Sequence, residues 1–143
     1  MSLKGQIDKD IIVAMRASLP SIVTTLRYLK AEVQSVEKNT GSDLDDSAVA
    51  RIIQKQIKRL DDSIKFAEQG NREDLVSQYK AEKSTISKYL PKQLTEEELK
   101  KEIDNIIRSN NMDNIGSVMK KLRSEFDGRF DGKTASEIIK GLL

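Results

Sequence analysis

The chain has 143 residues, a length that suits one domain or two small ones, and its 25 Lys and Arg against 23 Asp and Glu leave a formal charge of only +2. It contains no Cys, no His and no Trp, which removes disulfides, thiolate nucleophiles, the usual neutral-pH general base and the usual nitrogen and sulfur metal ligands. Aromatic residues make up 4%, too few for the ring platforms of single-strand readers, and so small a net charge confines any anion site to a local patch.

Apolar residues recur at spacings of three and four along the whole chain, so the expected fold class is all-α. Leu3, Ile7, Ile11 and Met15 define a first helix ended by Ser18-Leu19-Pro20, and Pro20 suits the first turn of the next. The second helix carries Ile22, Leu26, Leu29, Val33 and Val36 and stops near Asn39-Thr40-Gly41. The third runs from about Asp45 to Gln69 with Val49, Ile52, Ile53, Ile57, Leu60, Ile64 and Ala67 on one side, and Gly70 stops it. Arg51, Lys55, Lys58 and Lys65, with Asp62 among them, fall on its opposite side. Such a stripe reads first as a solvated back face, the alternative being an anion or partner surface. Asn71 is the expected cap of a fourth helix carrying Leu75, Tyr79, Ile86 and Tyr89, which Pro91 forbids to continue. Tyr79 and Tyr89 are expected in the core with wet hydroxyls.

After Pro91-Lys92-Gln93, Thr95 and Glu98 have capping-box spacing and Leu94 can staple onto Leu99. The three glutamates of that first turn face the positive end of the helix dipole, which accounts for them without a metal or a catalytic role. Leu99, Ile103, Ile106 and Ile107 define the fifth helix, Ile115, Val118, Met119, Leu122 and Phe126 the sixth, and Ala135, Ile138, Ile139 and Leu142 the last. The expected organisation is an antiparallel helical subdomain over 1–91 and a three-helix subdomain over 94–143, moving partly independently about the joint at Pro91. Met1 to Gln6 lack the apolar core of a signal peptide, and the apolar run Ile11 to Met15 is far short of a membrane span. The expectation is a soluble cytoplasmic protein with no membrane partner; an organellar protein whose transit peptide has been removed is the alternative.

The loop Asp127-Gly128-Arg129-Phe130-Asp131-Gly132-Lys133 is the one stretch that helix periodicity does not explain. It reads either as a tight turn or as a phosphate site, in which Arg129 and Lys133 flank open amides at the start of the last helix, capped by Thr134 or Asp131. It lacks the G-x-x-x-x-G-K-[ST] spacing of a nucleotide-binding loop. The scattered carboxylates offer no specific acid–base pair, so no catalytic or metal-binding residue is assigned and no cofactor is expected.

Lys58-Arg59, Asp62-Ser63-Ile64, Gly70-Asn71-Arg72-Glu73-Asp74-Leu75 and, most specifically, Tyr89-Leu90-Pro91-Lys92-Gln93-Leu94-Thr95-Glu96-Glu97-Glu98-Leu99 resemble the GatB/YqeY family in order and spacing. Gly116-Ser117-Val118-Met119 and Gly128-Arg129 with Asp131-Gly132-Lys133 look like that family's G-x-V-M and G-R-x-D-G-K blocks. The chain departs from the pattern at Ser18-Leu19-Pro20, where relatives carry charged residues, and between Lys120 and Asp127, where the usual proline is missing. The resemblance implies a free-standing version of the tail domain of the GatB subunit of the glutamine-dependent aspartyl/glutamyl-tRNA amidotransferase, where the tail helps to hold tRNA. The family label is carbon–nitrogen ligase with glutamine as amido donor, yet the ATP-using and ammonia-receiving chemistry of that subunit lies in a domain this chain does not contain. The implied role is therefore a tRNA-associated accessory that binds tRNA rather than catalysing alone, with an amidotransferase or another tRNA enzyme as partner. The competing reading is an all-helical protein-interaction adaptor with no RNA role. For the RNA reading the expected contacts are Lys120, Arg123, Arg129, Gly132 and Lys133: Lys120 and Arg123 are neighbours on the sixth helix, away from its apolar face, and the rest lie on the loop just beyond.

Overall fold

The computed structural model describes residues 2–143, and among them are seven α-helices and no strand. The all-α expectation is met, and the chain divides into two compact units, one reaching to Leu90 and one from Pro91 to Leu143.

In the first unit, α1 (Leu3–Arg16) starts under the Ser2 hydroxyl, which accepts from the Gly5 amide at 3.1 Å. Its buried residues are Ile7, Ile11 and Ala14, whereas Met15 is exposed. A four-residue step overshoots one turn by about 40°, so three such steps from Leu3 carry Met15 off the stripe and the three-residue step to Ala14 returns to it. Pro20 opens α2 (Pro20–Thr40) as expected, and Gly41, at φ 73°, ends it in the left-handed conformation that glycine adopts without strain. Asp45 caps α3 (Asp46–Gln69) by accepting from the Ala48 amide at 2.9 Å.

Two carboxylates tie this corner together. Glu37, near the end of α2, accepts from the Lys4 ammonium and from the Leu44 amide, and these bonds hold its carboxyl below the usual range. Asp46 accepts from the Leu3 amide at 2.9 Å. The starts of α1 and α3 and the end of α2 are thereby fixed to one another.

Asn71 does not cap α4 (Glu73–Ser87). It lies at φ 55° and finishes the turn that closes α3, with the Arg72 amide donating back to the Ala67 carbonyl at 2.9 Å. Asparagine tolerates that left-handed region better than most residues, so Asn71 serves the turn that ends α3 and not the cap of α4. The helix also ends at Ser87, four residues before Pro91.

The core of this unit gathers Ile7, Ile11, Leu26, Leu29, Val33, Val49, Ile53, Ile86 and Tyr89, each large aliphatic side chain contributing roughly 1.5–3 kcal/mol on burial. Two polar groups enter it under different terms. The Tyr89 hydroxyl donates to the Asp10 carboxylate on α1 rather than to water, and burial first, then that bond, pushes its pKa up. The Gln56 side chain, only 6% exposed, leaves its amide Nε2 with no hydrogen-bond partner, at a desolvation cost on the order of 1–3 kcal/mol. Arg51, Lys55, Lys58 and Lys65 on the far side of α3 are all exposed.

In the second unit, α5 (Glu96–Asn110) opens on a complete capping box. The Thr95 hydroxyl accepts from the Glu98 amide at 3.1 Å and the Glu98 carboxylate accepts from the Thr95 amide at 3.3 Å. Asn114 caps α6 (Ile115–Phe126) through the Gly116 and Ser117 amides, and Asp131 caps α7 (Gly132–Leu142). Leu99, Ile103, Ile106, Val118, Leu122, Ala135 and Ile139 form the core with Phe130, and Leu94 packs against it. Ile115, expected on the buried face of α6, is instead exposed at the first turn of the helix.

Replacing Tyr89 by Phe should lower the stability of the first unit by about 1.5–3 kcal/mol in chemical denaturation, the worth of a hydrogen bond to a charged group. A tyrosine whose pKa is raised on folding stabilises fully below its unfolded value near 10 and loses that contribution as pH climbs toward the folded value. The gap between wild type and Tyr89→Phe should therefore stay constant through neutral pH and narrow above about pH 10.

Candidate nucleic-acid interface

The loop between α6 and α7 is built around one buried ring. Phe130 sits among the core residues of the second unit, so the chain must leave α6, dip inward and emerge again within five residues. Gly128, at φ 75°, makes the reversal, and the Arg129 amide donates to the Phe126 carbonyl at 3.0 Å.

Arg129 is half-buried and already engaged. Its Nε donates to the Lys92 carbonyl at 2.8 Å and its guanidinium lies 5.5 Å from the centre of the Phe126 ring. The Leu94 amide donates to the Arg129 carbonyl at 2.8 Å, and the Gln93 Nε2 to the Gly128 carbonyl at 2.7 Å. Segment 92–94 is thus clasped onto the loop, and the capping box begins where the clasp ends. Glu98 lies close enough that the charges of Lys92 and Arg129 add to the Thr95 hydrogen bonds that hold its carboxyl below the usual range.

Asp131 is the residue that caps α7. Its Oδ2 accepts from the Thr134 amide at 3.1 Å and from the Thr134 hydroxyl at 2.9 Å. A carboxylate therefore sits where an anion would meet that amide, and the attraction of this site for phosphate passes to the side-chain cations around it. Gly132 has no positive φ, and a Cβ there would meet nothing within 4 Å, so neither strain nor packing requires the glycine.

Lys120, Arg123 and Lys133 are exposed. Among the described residues they carry no ion pair, whereas Lys121 is paired with Glu125 at 3.4 Å and Arg108 with Asp104 at 3.2 Å. Lys120 and Arg123 stand on the outer side of α6, opposite Val118 and Leu122, and Arg123 is one turn from the Phe126 ring that Arg129 covers. Lys120 and Arg123 thus share the outer side of α6, Arg129 lies on the loop beyond it with its guanidinium at the Phe126 ring, and Gly132 and Lys133 belong to the first turn of α7. Two roles here were not anticipated from sequence: Phe130 as the anchor of the loop and Arg129 as the clasp on Lys92. The signal for the first was present, since Phe130 is the sole apolar residue between Asp127 and Lys133.

These features define a small all-helical protein of two units, the second with Lys120, Arg123 and Lys133 exposed on the helices that flank an ordered loop. A family model described as Yqey-like protein matches residues 4–143, and the chain belongs to that family. It is also 30% identical over 145 residues to altered inheritance of mitochondria protein 41, mitochondrial, from Pyrenophora tritici-repentis (strain Pt-1C-BFP), a match covering 96% of this chain and 79% of the relative. No helix among the described residues is long and apolar enough to cross a membrane.

Arg129→Ala should release segment 92–94, and limited trypsin digestion should then cut after Lys92 several-fold faster than in wild type, as the loss of one ordinary hydrogen bond of about 1 kcal/mol allows. Arg129→Lys, which keeps the charge but not the planar Nε donor, should also be cut faster while retaining more affinity for polyanions than the Ala variant.

Proposed function

We propose that the second unit holds tRNA by its phosphate backbone, and that the protein serves as an accessory to a glutamine-dependent tRNA amidotransferase or another tRNA enzyme without carrying out the ligation itself. The observation that carries this reading is that Lys120, Arg123 and Lys133 are exposed and free of ion pairs among the described residues and belong to the unit that also holds the Gly128–Gly132 loop. The similarity to the tail domain of the GatB subunit supplies the class of RNA and of partner. The mitochondrial name of the relative favours the organellar alternative for location over the cytoplasmic one.

A second reading, the protein-interaction adaptor, is favoured by α1, where Ile12, Val13 and Met15 are each half or more exposed, and by Leu19 just beyond it. Apolar residues grouped in this way on a small unit are a common mark of a contact surface.

The two readings separate on salt. Neutralising about four phosphates should give a logarithmic fall of tRNA affinity with salt of slope about three to four. The triple variant Lys120→Ala, Arg123→Ala, Lys133→Ala should lose most of that affinity and flatten the slope with an unchanged helical signal in circular dichroism. Lys100→Ala with Lys101→Ala, exposed on α5, should change little. Absence of tRNA retention by the wild type at low salt, or equal retention by the triple variant, hands the function to the adaptor reading.

A further inference from the structure

The first unit contains a cleft of about 340 Å³ between α2, α3 and α4, a volume in the range of small-ligand sites. Gln56 lines it, and this is the same side chain whose Nε2 is buried without a partner. Leu60 and Ile86 add apolar surface, and Tyr28, 61% exposed, adds an aromatic ring. The Thr24 and Thr25 hydroxyls that also line it donate to the Pro20 and Ser21 carbonyls of their own helix, both at 3.0 Å, so neither donates into the cleft.

The chemistry of the occupant follows by elimination. An aliphatic body would leave the Gln56 amide unpaired. A carboxylate would satisfy the amide donor but offers the amide carbonyl no N–H in return, and the Arg59 and Glu82 side chains that also line the cleft balance each other and favour no net charge in the occupant. A glutamine amide carries a donor and an acceptor on one plane and can turn about its last torsion to present either. Its natural complement is a neutral planar group with an N–H and a C=O side by side, and the Tyr28 ring favours one that is also aromatic.

We propose that this cleft binds a nucleobase, its amide-like edge paired with Gln56 and its face set against Tyr28. A free nucleoside and an unstacked base of an RNA strand offer the same edge. The site lies in the first unit and does not depend on the cationic residues of the second. It also explains why a polar side chain is kept where an apolar one of equal length would fold more stably.

The test is titration of the ¹⁵N-labelled full chain with uridine, with 3-methyluridine, in which the ring remains but the donor is blocked, and with a short uridine-rich single strand. Uridine should shift the backbone amides of Tyr28, Gln56 and Leu60, and 3-methyluridine should bind roughly tenfold more weakly, the loss expected for one hydrogen bond. Gln56→Met should weaken uridine binding to a similar degree while melting at the same or a higher temperature, and Tyr28→Ser, at an exposed position that the fold does not depend on, should weaken it as well. Tighter binding of the strand than of uridine identifies the ligand as a base within RNA, and equal binding identifies the free nucleoside; both uphold the site. Unshifted amides at millimolar uridine, or equal binding of uridine and 3-methyluridine, would overturn it.

Discussion

The burial of Phe130 is the constraint on which the loop between α6 and α7, and the segment clasped to it, depend. Because that ring must reach the core made by Leu99, Ile103, Val118, Leu122 and Ile139, the short connection between α6 and α7 has one path available. Gly128 reverses the chain, Arg129 is turned toward Lys92, and Asp131 arrives where its carboxylate can cap α7. Each polar contact in the loop is modest alone, on the order of 1 kcal/mol, but the anchored ring removes the entropy that would otherwise oppose them. The same ring positions segment 92–94, and through it the capping box that starts α5.

The first unit shows the opposite economy. Its long helices supply ample apolar contact, so it tolerates two polar intrusions, and their difference is informative. Tyr89 reaches Asp10 across the unit and is satisfied, a pairing that fixes α1 against the residues following α4. Gln56, also buried, finds no partner for its Nε2. A group left unsatisfied inside a well-packed unit either costs stability for no return or waits for something that enters. The cleft beside it is what makes the second case testable, because Gln56 is one of the residues that line it.

What was legible in the sequence follows from how local its cause is. All seven helices were visible because periodicity, Pro20, Gly41, Gly70 and the Thr95–Glu98 box act within a turn or two of where they sit. The misplacements are also local in origin. Spacing sets Met15 on the buried stripe because steps of four look aligned over one turn and drift over three, and it suggests Asn71 as a cap although asparagine serves equally well in a left-handed turn. What was hidden is long-range. Nothing near Asp10 indicates that Tyr89 will arrive, nothing near Lys92 that Arg129 will, and nothing near Gln56 that its amide will be stranded beside a cleft. Of the candidate RNA residues, spacing alone put Lys120 and Arg123 side by side, whereas the clasp that orders Arg129 needed the fold.

The distribution of charge bears on what such a protein can contribute to a tRNA-modifying reaction. With a net charge of +2, long-range steering toward RNA is weak, and contact must be made by a few cations at short range, where salt competes strongly. Weak, salt-sensitive holding is of little use to an enzyme acting by itself, but it suits a module whose local concentration is set by a second contact, since linked sites multiply their affinities without either being strong. A chain with neither Cys nor His has no ready means of activating glutamine or of relaying protons near neutral pH. On the proposed reading the contribution of this chain is placement: cations on α6 and α7 to hold the RNA backbone while another protein performs the chemistry.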